Sequence, residues 1–103
     1  AQLVPAINVA ATNQTVHALH FSNITTSSVD VYLRLYDGAS SGGAAITGGY
    51  ILFKVPNPAS STLVIEKPIN LICSASDTDS RSLQAIASTG SAIDAVASVL
   101  VIT

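Results

Sequence analysis

The sequence predicts an all-β protein: an antiparallel β-sandwich, Ig-like or jelly-roll-like, of about seven to eight short strands with an extended N-terminal arm. Three observations predict it. In "VDVYLRLYDG", Val29, Val31, Leu33 and Leu35 recur at every second residue and share one face only in an extended chain. Short apolar runs of the same kind follow one another, separated by clusters of Gly, Pro, Ser and Asn that favour turns. No long helical pattern interrupts them.

Residues 1–14, "AQLVPAINVAATNQ", carry no charge and contain one proline, which suits an extended arm ahead of a sandwich domain over 15–103. The apolar residues of the arm, Leu3, Val4, Ile7 and Val9, with Pro5 among them, need cover from elsewhere. An arm covering roughly 400 Å² contributes on the order of 10 kcal/mol. Fixing its residues costs about 1–2 kcal/mol each. The two terms nearly cancel, so the arm is expected to be mobile when free and ordered only on an assembly.

From Thr15, "TVHALHFS" alternates, with His17, Leu19 and Phe21 on one face and Val16, Ala18 and His20 on the other. "NITTSS" is a polar turn leading into the strand Val29 to Tyr36, which spans roughly 26 Å at about 3.3 Å per residue and suits a central position. Its other face carries Asp30, Tyr32, Arg34 and Tyr36, and Asp37-Gly38 ends it. Gly38 to Gly49 is a small-residue loop with room for a short edge strand. "YILFKV" resumes the alternation, setting Ile51, Phe53 and Val55 opposite Tyr50, Leu52 and Lys54. "PNPASS" turns the chain, and "TLVIEK" and "INLICSA" are short strands divided by Pro68. "RSLQAIAS" and "VASVLVIT" complete the set. Residues 91–100 also fit helical spacing, but the β-branched ending Val99, Val101, Ile102 favours a strand from about Val96.

Composition narrows function. Charged residues make up 10% of the chain, where about 25% is usual, and 49% are hydrophobic. So few charges leave apolar surface that needs a protein partner. The net charge is −2, and Arg34, Lys54, Lys67 and Arg81 are scattered, which argues against nucleic acid as a partner. No apolar run approaches the roughly 18 residues of a membrane span. No basic segment leads into an apolar one at the N-terminus. Neither a bilayer helix nor an uncleaved signal peptide is expected. The absence of Met, with Ala1 first, suits a removed initiator or a cleaved precursor alike. Cys73, the single cysteine, is a small hydrophobe without an intramolecular partner.

Candidate chemistry is sparse. "GASSG", Gly38 to Gly42, matches G-x-S-x-G with Ser40 as nucleophile, but that mechanism needs a strand-to-helix turn and a histidine after the acid. Both histidines precede Ser40, so a flexible loop is the preferred reading and no enzyme is expected. The odd spacing of His17 and His20 sends them to opposite faces of a strand, one buried and one at the surface, so they share no metal. Asp77 and Asp79 lack the glycine and distal glutamate of a calcium loop and suit a turn. Neither metal nor cofactor is expected. Asn13-Gln14-Thr15 and Asn23-Ile24-Thr25 are glycosylation sequons, relevant only to a chain secreted from a eukaryotic cell. Tyr32, Arg34 and Tyr36 fit a sugar platform, a protein contact or the plain outer face of a sandwich.

The order of "HALHFSN", "VYLRLYD", a small-residue loop, an apolar strand, a Pro/Ser turn and "TLVIEKP" resembles the small β-sandwich structural proteins of tailed-bacteriophage virions, over roughly Thr15 to Ser76. "KPINLICSAS" departs from that pattern, with Pro68 where a glycine-led strand is usual. The resemblance implies a capsid decoration or cement protein that bridges capsomers, or a related head or tail component. The implied partner is the major capsid protein or another virion protein. The implied state is a homo-oligomer, with a trimer favoured, on the capsid surface of the virion, the protein being made in the host cytoplasm. Leu3, Val4, Pro5, Ile7, Val9, Tyr32, Arg34 and Tyr36 are the expected interface. A receptor- or carbohydrate-binding module of a phage tail or fibre is the alternative.

Overall fold

The computed structural model describes residues 2–37, 45–76 and 80–102. Within them the chain is all β, with strands β1 (Gln2–Val4), β2 (Asn13–Asn23), β3 (Val29–Asp37), β4 (Ala45–Asn57), β5 (Thr62–Ile65), β6 (Ile69–Leu71), β7 (Arg81–Ala87) and β8 (Ile93–Ile102). Two antiparallel sheets form the sandwich. The first has the order β1-β7-β3-β4. In the second, β2 is central: β8 lines one edge over its whole length, while β5 and β6 share the other.

The core lies between the sheets, built from Val4, Val16, Leu19, Phe21, Val31, Leu33, Leu71 and Leu83. The β3 alternation is realised: Val29, Val31 and Leu33 are buried and Leu35 packs on the core, while Asp30, Tyr32, Arg34 and Tyr36 face away, half-buried. As predicted for a central strand, β3 is paired on both sides, by β7 and by β4.

Four expectations are corrected. Residues 2–4 are a strand of the first sheet: Gln2 pairs with Gln84 and Val4 with Leu83, and Val4 is 2% exposed. The cover sought for this segment comes from the domain's own β7. A second correction concerns β2, where Val16, Leu19 and Phe21 are all buried although strict alternation separates Val16 from the other two. Val16 lies opposite Val99 and Ala18 opposite Ser98, so His17 is an inserted residue that inverts the parity. Both histidines are consequently exposed.

The same device acts twice in β4. Val31 faces Val55 and Leu33 faces Leu52, placing two residues, Phe53 and Lys54, opposite Tyr32 alone. Arg34 then faces Tyr50, so Ile51 is again extra. Lys54 takes a φ of 52°, the left-handed conformation of a bulge residue that usually calls for glycine. The fourth correction is to β8, which is a strand from Ile93, three residues before Val96. The strand for which Gly38 to Gly49 had room is the start of β4, which begins at Ala45.

Candidate interaction surface

The outward face of the first sheet carries an aromatic and arginine cluster assembled from two strands. β3 supplies Tyr32, Arg34 and Tyr36, and the two bulges of β4 bring Tyr50 and Phe53 to the same side. The Tyr32 and Phe53 rings meet edge to face at 5.5 Å between centroids, and Tyr50 and Phe53 at 5.0 Å. Both geometries suit the ring quadrupoles. The Arg34 guanidinium lies 4.5 Å from the Tyr50 centroid and 5.9 Å from that of Tyr36, and its Nη1 donates to Tyr50 Oη at 3.3 Å. Arg34 is thus pre-oriented against aromatic faces. Phe53 remains 64% exposed and Tyr50 41%. Beside Tyr32, Ile86 of β7 extends the apolar surface.

Sequence reasoning found the β3 half of this cluster and missed the β4 half. Plain alternation sets Tyr50 and Phe53 on opposite faces, and a lysine at the bulge hides the signal that a glycine would have given.

The expected N-terminal interface residues lie at different depths. Leu3 is half-buried against the core and Val4 is inside it, whereas Pro5 and Val9 are exposed and Ile7 is half-buried. The segment is held by side chains from the body: Gln14 Nε2 donates to the Pro5 carbonyl at 3.3 Å, and Ser80 Oγ reaches the Ile7 carbonyl at 3.2 Å.

A second apolar surface is β8. Val96, Val99, Leu100, Val101 and Ile102 are all exposed. Asp94 is the strand's sole charge. Near its beginning, Ile93 and Ala95 join Leu3, Phe21, Val31 and Ile86 around an apolar notch of about 300 Å³.

The remaining candidates separate. Ser40, Asp77 and Asp79 lie outside the described residues. Among the described residues no three His, Cys, Asp or Glu side chains come together as a metal site requires. Cys73 is half-buried and unpaired in a disulfide. Of the two sequons, Asn13 is exposed, but Asn23 is 3% exposed and its amide nitrogen donates to the Ser27 and Asn57 carbonyls, both at 2.8 Å. No helix is long and apolar enough to cross a membrane among the described residues. No family model matches the chain, and neither a curated protein nor a solved structure is significantly similar to it.

Proposed function

We propose that this chain is a virion structural protein, a capsid decoration or cement protein that stabilises a tailed-phage head by bridging capsomers. It works without catalysis, as a homo-oligomer bound to the major capsid protein. The observation that carries the reading is the cluster on one sheet face in which exposed Tyr50 and Phe53 pack with half-buried Tyr32, Arg34 and Tyr36. Rigid aromatic rings around an arginine are the composition of protein-interface hot spots, and a surface with so few charges gains by burying them. The resemblance described above supports the shell as the partner.

The test is attachment of the purified chain to phage heads assembled without it, followed by sedimentation. Phe53→Ala and Arg34→Ala should each weaken attachment by about tenfold or more while leaving the fold intact, as expected for central anchors. Attachment unchanged in both variants, or absent in the parent chain, removes the reading.

The exposure of Phe53 and Tyr50 beside Arg34 also favours a second reading, a receptor- or carbohydrate-binding module of a tail or fibre, since sugar rings stack on such faces. Binding on a glycan array that is lost in Tyr32→Ala and Tyr36→Ala, with shell attachment retained, would select it.

A further inference from the structure

The sandwich treats its sheet edges unequally. In the first sheet, β1 has 3 residues, and β4 shifts register three times against β3, carries Lys54 at positive φ and ends in Pro56-Asn57. In the second, β5 has 4 residues and β6 has 3, with Pro68 between them. Short strands, bulges, lysine and proline are the usual means of blocking unwanted strand addition. β8 has none of them. It runs 10 residues without Pro, Gly, Lys or Arg. The register shift in its pairing with β2 comes from His17, so β8 itself stays regular. Its edge away from β2 is unpaired among the described residues.

We propose that β8 pairs antiparallel with β8 of a second copy of this chain, across a two-fold axis at Ser98. The sequence of the strand fits its own reverse. In that register Ala97 faces Val99 and Ala95 faces Val101, so Val99 and Val101 on the inner side each meet an alanine. On the outer side Val96 faces Leu100 and Asp94 faces Ile102. The two Asp94 carboxylates lie eight positions apart, roughly 26 Å along the strands, well beyond the screening length of about 8–10 Å. No like charges meet, and both second sheets join into one continuous sheet. A two-fold contact of this kind is isologous and closes on itself.

Area sets the strength. Five aliphatic side chains about half exposed offer roughly 400 Å² of apolar surface per copy, short of the roughly 800 Å² per partner of a standard interface. The main-chain ladder must supply much of the remainder, as in strand addition generally. The dimer is therefore weak and reversible, populated only as concentration rises.

This inference is independent of the shell reading and uses a different surface. Sedimentation equilibrium of the full chain from about 5 µM to about 500 µM should show mass rising from one copy to two. Val96→Lys and Leu100→Lys, both exposed, should stay monomeric at every concentration with unchanged circular dichroism. In a Cys73→Ser background, Ser98→Cys should oxidise to a covalent dimer, and Val96→Cys should not. A monomer throughout, a trimer indifferent to both lysine variants, or equal crosslinking of the two cysteine variants would each overturn it. A head-attachment result of either sign leaves it standing.

Discussion

Asn57 is 0% exposed, yet it is polar, and every bond it makes ties one segment to another. Its Nδ2 donates to the Phe21 carbonyl at 2.9 Å, and its Oδ1 accepts from Ser61 Oγ at 3.0 Å. Its own carbonyl accepts from Asn23 Nδ2, while Asn23 Oδ1 takes the Thr25 amide at 2.9 Å and the Thr25 hydroxyl at 2.7 Å. The end of β2, the end of β4 and two turns are thus closed by a pair of asparagines. Asn57→Ala leaves the buried Phe21 carbonyl without its amide donor, while Ser61 Oγ keeps the Pro58 carbonyl at 2.7 Å, and one unsatisfied buried group costs about 1–3 kcal/mol. We expect a loss of about 1–3 kcal/mol in urea unfolding, enough to lower the Tm by about 5 °C or more in a domain of this size. Asn57→Asp should cost at least as much, because a carboxylate oxygen then confronts the Phe21 carbonyl. A loss below about 1 kcal/mol in both would show the network to be dispensable. None of this was legible in "KVPNPASS", which signals a turn but does not reveal that its asparagine turns inward. The sequon at Asn23 shows the same limit. A string specifies residue types, whereas modification needs a free amide, and this one is engaged in holding two turns.

At the scale of elements, strands were legible wherever alternation runs unbroken, as in β3, and faces were misassigned wherever a bulge intervenes. One inserted residue inverts every later side chain, since the period is two. His17 does this in β2, and Ile51 with the Phe53-Lys54 pair does it in β4. A glycine is normally the visible trace of such a bulge in a sequence, but here the left-handed residue is Lys54. It is therefore held in a conformation that costs an L-residue roughly 1–2 kcal/mol, part of which glycine recovers and part of which glycine loses to its freer unfolded chain. Lys54→Gly should stabilise the domain by about 0.5–1 kcal/mol, and the β-branched Lys54→Val should destabilise it by about 1 kcal/mol or more. Chemical denaturation of the two variants beside the parent gives the comparison. If valine is accepted as readily as glycine, the bulge is not where the register places it, and the union of Phe53 with Tyr32 fails with it. The N-terminal segment teaches a related lesson. Its uncharged, proline-containing string suits a free arm, but β7 had an open edge, and Val4 fills the space over Leu83. Which edge is open is a property of the finished sheet.

The whole molecule carries six acidic and four basic residues, two of which, Asp37 and Arg81, pair with each other across β3 and β7. That scarcity, legible from composition alone, decides how the surface should behave even though composition could not say where its apolar parts lie. Association through Val96, Leu100 and their neighbours, or through the Phe53 cluster, should draw mainly on removal of apolar area from water, a force that weakens on cooling and is strengthened by excluded salts such as sulfate. Contacts between charges would respond in the opposite sense to added salt, through screening over about 10 Å at 0.1 M. Raising sodium chloride from about 50 mM to about 500 mM should therefore change self-association or shell attachment by less than about twofold. Sodium sulfate should tighten both, and cooling from about 25 °C to about 5 °C should loosen both. Isothermal calorimetry should return a negative heat-capacity change, the robust mark of apolar burial. A fall of tenfold or more in chloride would mean that Arg34 binds as a charge to an acidic partner instead of as a planar group stacked among rings. The exposed face would then be a site for carboxylates, and the apolar neighbours only its rim.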